Sequence, residues 1–252
     1  MHQRTPNRTA CSRCRHGLTS AHMATAAQAR GTAASLLRSV VHRHTQPVAL
    51  PSLQQHLRLI TPACAVYHMR PEELPRELGP EGEPFWGFVW PGSWGLSLHV
   101  QRHPHLVEHQ RVLDFASGCG VSAIAAARAG ARSVVATEID PVAVQAIAIN
   151  AELNGVAGAV RGVCEDLVGT DISGDVDVVL AGDICYDQDV AARVSTWFRE
   201  CSEAGVRVLV GDPGRSFLPA DKLRHVASYD MPHSDVQVLE AKGFAETGVW
   251  EM

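Results

Sequence analysis

Residues 111–126 read RVLDFASGCGVSAIAA. RVLDF is a short apolar strand, Ser-Gly-Cys-Gly a turn, and VSAIAAARAG (121–130) an Ala-rich helix stopped by Gly130. A strand that enters a helix through glycines is the first unit of a parallel α/β sheet, provided the pattern repeats.

It does repeat. SVVATE (133–138) is a β-branched strand, after which Pro141 stands in a helix's first turn and AVQAIAINAELNG runs to a Gly155 stop. AVRGV (159–163) and DVDVVLAGD (175–183) are the third and fourth strands, the latter apolar enough to be central. An amphipathic helix (189–205) leads to RVLVGD (207–212), and weaker strands are expected near 226–231 and 248–251. The alternation implies a parallel sheet covered by helices on both faces. Upstream, LPSLQQHLRLI (50–60) places Leu50, Leu53, Leu57 and Ile60 at helical spacing. With Ser52 as cap and Thr61-Pro62 as stop, it predicts a helix, and 71–84 a loop.

The composition of the 252 residues, 46% hydrophobic and 19% charged, is that of an ordinary globular protein. No apolar run approaches the ~20 residues of a membrane helix. Charge is uneven: residues 1–71 hold nine Arg and no acid, and Glu72 is the first carboxylate. Residues 1–45 lack periodicity and read as disordered or marginally helical. The expected division is a basic leader, 1–44, and a domain, 45–252. The leader has the composition of a mitochondrial transit peptide. Two other readings stand beside that one. The chain's preference for Arg, with only Lys222 and Lys242, and an internal Met23 fit a dispensable or over-extended leader; a nucleic-acid arm lacks any aromatic before Tyr67. Seven cysteines without framework spacing fit a reducing compartment. The expected location is the cytoplasm, with the mitochondrial matrix as alternative. Cys11, Cys14 and His16 form a lone C-x-x-C with a histidine, too little for a zinc site, so no metal is expected.

Five acids fall at successive strand ends: Asp114, Glu138, Asp166, Asp183 and Asp212. Ligands of such sheets bind there, where strand order reverses. Gly118, Gly120 and Ala123 fit G-x-G-x-x-A, and Glu138 follows Gly118 by 20 residues, which is the dinucleotide fingerprint of an NAD(P)-dependent oxidoreductase. Asp114 argues against that, because an acid ahead of the glycines repels a pyrophosphate. It suits a ligand with an amino group and a sulfonium, namely S-adenosylmethionine. Glu138 would accept the ribose hydroxyls and Asp166 would meet the adenine amino group. The structural alternative for Asp114 is that it caps the next helix.

VLDFASGCG, ATEID and EDL resemble the class I S-adenosylmethionine-dependent methyltransferases. PFWGFVWPG (84–92) and LAGDICYDQ (180–188) are similar to the W-P-G and D-x-x-Y elements of the seven-strand, family 16 lysine methyltransferases. LRLITPAC (57–64), EIDPVAVQAIAINAELN (138–154), VLVGDPGR (208–215) and TGVW (247–250) extend the likeness to the electron transfer flavoprotein β-subunit lysine methyltransferases and their bacterial relatives. The resemblance implies a Rossmann-like, doubly wound, mostly parallel seven-stranded sheet. It implies protein-lysine N-methylation by a monomer, with the flavoprotein β-subunit as partner and neither nucleic acid nor membrane. Small amines and ribosomal proteins stay open as acceptors, although GDICY lacks the prolines of the ribosomal N-P-P-Y element. Trp90, ahead of Gly92, would cover the cofactor. Asp183 would orient the acceptor ammonium, with Tyr186 and Trp86 as an aromatic lid; core packing is the alternative for Trp86. Asp212 and Arg215 would support the substrate loop or simply form a surface pair in a turn.

Overall fold

The computed structural model describes residues 20–78, 82–231 and 243–252, with side chains from residue 31. The chain divides into 1–35 and 36–252; the fold below is that of the second unit. Cys11, Cys14 and His16 lie outside the described residues.

Seven strands form the main sheet: β3 (Arg111–Phe115), β4 (Ser133–Glu138), β5 (Val160–Cys164), β6 (Val178–Gly182), β7 (Arg207–Asp212), β8 (Arg224–Asp230) and β9 (Glu246–Glu251). Their order is β5-β4-β3-β6-β7-β9-β8. The first five are parallel, whereas β9 runs antiparallel to both β7 and β8. The expected doubly wound sheet is therefore present, with its switch point between β3 and β6.

Side-chain alternation explains why both faces are covered. Val112, Val178, Leu180 and Leu209 pack with α3 (Pro91–Arg102) and α4 (Val121–Arg128). Leu113, Phe115, Val179, Val208 and Val210 pack on the other face with Trp197 and Phe198 of α6 (Gln188–Glu203). A third cluster joins Trp86, Ile60 and Val66 to Val142 and Ile149 of α5 (Pro141–Leu153).

Three expectations are corrected. Residues 50–60 are not a helix but most of a hairpin, β1 (Gln46–Leu50) and β2 (Gln55–Leu59), joined by one 3₁₀ turn that ends at Gln54, φ 53°. Pro51 starts that turn and breaks the helical reading; Gln55, Leu57 and Leu59 then alternate buried against the more exposed His56 and Arg58. The hairpin's free edge donates to α5: His56 N reaches Asn154 Oδ1 at 3.1 Å, and Arg58 N reaches Asn150 Oδ1 at 2.7 Å. Asn150 also donates to Cys119 O at 2.9 Å, so the hairpin braces the glycine turn.

Second, α1 spans Ser20–His44, and its last turns belong to the second unit: Val41 is fully buried, and Arg38 pairs with Glu152 at 2.6 Å. The compact unit that contains the sheet thus extends back to Leu36 and includes these last turns. Third, the segment 71–84 contains a short helix, α2 (Leu74–Leu78).

An unforeseen element is α3. Its small residues disguise it, since Gly is a poor helix former. They let it lie directly on the sheet: a Cβ on Gly92 would collide with the Gly211 carbonyl, and one on Gly182 with Ser93.

Candidate active site

A cavity of 560 Å³ opens beyond the carboxyl ends of β3, β4 and β6. The turn after β3 needs left-handed backbone at Ala116 (φ 50°), Gly118 (φ 57°) and Gly120 (φ 84°), which glycine adopts without strain. Three of the amides here are already engaged. Gly118 N donates to Glu138 Oε1 at 2.6 Å, Gly120 N to Ser117 O at 2.9 Å, and Ala123 N to Asp114 Oδ2 at 3.0 Å. A pyrophosphate would find none of these three donors. It would instead meet Glu83, Glu138, Asp140, Glu165 and Asp166, which line the cavity. The dinucleotide reading fails on both counts.

Glu138 takes one backbone amide on each oxygen, from Gly118 and, at 3.1 Å, from Ile139. Each oxygen keeps a lone pair for a ribose hydroxyl. Burial pushes its carboxyl above the ordinary range, opposed by those two amides. Ile139, 66% exposed, supplies an apolar wall. Asp166 also lines the cavity, accepting from Val168 N at 3.0 Å and Arg193 Nη2 at 3.3 Å. Carboxylates for hydroxyl and amino groups, apolar walls and no phosphate cradle fit S-adenosylmethionine.

Asp114 does not line this cavity. Its side chain is buried under the turn, where Oδ2 accepts from Ser117 Oγ at 2.5 Å and from Ala123 N in the first turn of α4. Burial pushes its pKa up to about 7 against those hydrogen bonds. The capping alternative describes the observed contacts: Asp114 holds the turn and the first turn of α4. Gly120 is likewise structural, as the N-cap of α4 with Ile147 behind it.

The three neighbouring tryptophans divide. Trp86 and Trp94 are core side chains, 2% and 0% exposed, which removes Trp86 from the lid even though it touches the cavity wall. Trp90 is the N-cap of α3, lines the cavity and donates Nε1–H to Phe85 O at 3.0 Å. Phe85 lies 5.8 Å from the Trp90 ring and 5.9 Å from that of Tyr186, which is half-exposed. Phe85 and Ile139 were not singled out from the sequence, although each adjoins a residue that was.

Asp183, just past β6, has φ 57°, strained for a residue with a side chain. Its amide donates to Gly211 O at 2.9 Å, and its Oδ2 accepts from Gly92 N, an otherwise orphaned donor of α3. Arg215 contacts Oδ1. Burial raises Asp183 to about 6, with Arg215 the main opposing influence. Asp212 stays outside the cavity: Oδ1 accepts from Gly214 N at 2.7 Å and Arg215 N at 2.6 Å, holding the GDPGR turn. It orients Arg215, whose guanidinium also lies over the Trp90 ring, and its charge adds to the upward pressure on Asp183.

Residues 97–185 match the model of the ribosomal protein L11 methyltransferase (PrmA) family. The electron transfer flavoprotein beta subunit lysine methyltransferase of Xenopus laevis is 37% identical over 229 residues, covering 88% of this chain and 89% of that one. The Homo sapiens protein of the same name is 33% identical over 221 residues, covering 85% and 81%. Among solved structures, an RNA methyltransferase from Salinibacter ruber, in complex with S-adenosyl-L-homocysteine, is 22% identical with a TM-score of 0.44, covering 62% of this chain and 90% of that one. On the extent and identity of the sequence matches, this chain belongs to the electron transfer flavoprotein β-subunit lysine methyltransferase family.

Proposed function

We propose that the protein transfers a methyl group from S-adenosylmethionine to lysine ε-amines of an electron transfer flavoprotein β-subunit. One observation carries the choice of acceptor. The likeness to the flavoprotein enzymes covers 88% of the chain, whereas the ribosomal family matches only 97–185, from α3 to just past β6. The first likeness therefore includes β7 and Arg215 on the acceptor side.

The cofactor supplies an electrophilic methyl group on a positive sulfonium. The chain's task is alignment, with reacting atoms about 3–3.5 Å apart. It must also admit a neutral amine: at a reference pKa of ~10.4, only about one lysine in a thousand is neutral near pH 7.4, a cost of roughly 4 kcal/mol. Desolvation lowers that pKa. Phe85, Trp90 and Tyr186 form the apolar walls that provide it. Asp183, held by Arg215 and Gly92, fixes the floor of the acceptor side.

The test is labelled cofactor offered side by side with purified flavoprotein, free nicotinamide and ribosomal protein L11. Label should appear in flavoprotein lysines. Label confined to nicotinamide or L11 would overturn the acceptor.

A further inference from the structure

Resting on that reading, we propose that Glu83 is the residue that selects a cationic acceptor, receiving the lysine ammonium at the mouth between Phe85 and Tyr186. The expected candidate, Asp183, is poorly placed for a first encounter. It is buried, and both of its oxygens are engaged, one by Gly92 N and the other by Arg215. An incoming ammonium would have to displace a guanidinium to reach it.

Glu83 is different. It is exposed, lines the same cavity, and its carboxylate has no hydrogen-bond or ion-pair partner among the described residues. Its position is fixed by backbone. Phe85 N donates to Glu83 O at 3.0 Å across Pro84, whose φ of −85° and ψ of 54° form an inverse γ-turn. That turn presents the Glu83 and Phe85 side chains together at the cavity. Phe85 and Tyr186 remain 46% and 52% exposed, so two aromatic faces stand open beside an unpaired carboxylate. An ammonium on an alkyl stem satisfies both: cation–π attraction for the charge and apolar contact for the methylenes. Glu83 is also one of the charges that hold the Tyr186 phenol above its usual range, after burial, Asp187 and Glu138.

The test titrates capped lysine (Nα-acetyl-lysine methylamide) into the full chain with S-adenosylhomocysteine bound, followed by NMR, beside the uncharged isostere Nα-acetyl-norleucine methylamide. The wild type should bind the lysine compound in preference to norleucine. Glu83→Gln should weaken lysine binding about three- to fivefold, the scale of a partly exposed ion pair. It should leave S-adenosylhomocysteine affinity and Tm unchanged, and Glu83→Asp should restore part of the loss. With flavoprotein as acceptor, Glu83→Gln should raise KM more than it lowers kcat. Equal lysine and norleucine binding, or lysine binding indifferent to Glu83→Gln, would overturn the proposal. Failure of the acceptor assignment looks different: no flavoprotein methylation by the wild type, with the Glu83-dependent titration intact.

Discussion

Arg215 closes on Asp183 across the carboxyl ends of β7 and β6, with Nε 2.7 Å and Nη2 2.6 Å from the same oxygen, Oδ1. Asp212 sets this up, because its carboxylate holds the Arg215 backbone amide at 2.6 Å. Two acids and an arginine thus form one unit, and its guanidinium lies over the Trp90 ring. Removing the cation leaves Asp183 buried beside Asp212.

Arg215→Met therefore moves the Asp183 titration upward. Its carboxyl already sits near 6 through burial, and loss of the main opposing influence adds about 1–3 pH units. The acid limb of kcat/KM against pH shifts upward by that amount. Stability falls by about 3 kcal/mol, as when a buried pair loses one partner. Flavoprotein methylation assayed from pH 5.5 to 9 checks the first, and urea unfolding the second. An unmoved acid limb would detach Asp183 ionisation from the reaction.

Asp114 gives a second pH signature. Its folded pKa, about 7, lies above the ordinary 3.8, so folding favours the protonated form. That stabilisation is complete below the unfolded value and is lost as pH rises through 7. Asp114→Asn keeps an acceptor for Ser117 and Ala123 but cannot ionise. Its Tm should gain on the wild type from pH 5 to about 7 and level off above that, read by calorimetry on cofactor-free protein. S-adenosylhomocysteine affinity should stay within a few fold, because the side chain does not line the cavity.

The parallel strands were legible because each is a short run with β-branched residues that ends near a turn residue or an acid, a pattern that needs no tertiary information; the central β3, β6 and β7 are also buried on both faces. The hairpin was not. Leu53, Leu57 and Ile60 satisfy a helical spacing, and what decides for strand is Asn150 and Asn154 accepting the β2 amides from 92 and 98 residues away. The acids at strand ends were legible as a set, but not by role. Glu138 faces the cavity, while Asp114, two residues from Val112, shares the face that α4 covers. Asp183 and Arg215 meet only because β6 and β7 are neighbours, which chain order alone does not dictate.

The start of the domain yields a third prediction. Val41 is fully buried and Leu37 and Val40 pack beside it, close to Val142 and Ile149 of α5. A chain beginning at Leu36 should fold and bind S-adenosylhomocysteine like the full chain. One beginning at Thr45 loses those three side chains, together about 3 kcal/mol of apolar burial. At 2–4 °C per kcal/mol its Tm should fall by roughly 6–12 °C. Differential scanning calorimetry of the two truncations decides it; equal Tm values would show that the last turns of α1 contribute nothing.

Gly92→Ala tests how the backbone builds the site. Gly92 and Gly211 face each other so closely that a Cβ on either would strike the other's carbonyl, and one on Gly92 would come within 2.7 Å of Asp183 Oδ2. Neither carbonyl belongs to a flexible side chain, so α3 must move off β7 to make room. Overpacking of this kind costs about 1–3 kcal/mol. The displacement also draws the Gly92 amide away from Asp183, removing one of the contacts that hold its left-handed backbone. The expected result is a folded protein with a Tm lower by several degrees and a methylation rate reduced at least tenfold. Glu138 ends β4, on the far side of β3 from β7, so S-adenosylhomocysteine affinity should fall less than the rate. Gly92→Ser should be no better, since its Cβ meets the same carbonyl. Calorimetry and single-turnover methylation measure the two effects separately. Wild-type turnover in Gly92→Ala would mean that α3 can shift without disturbing Asp183.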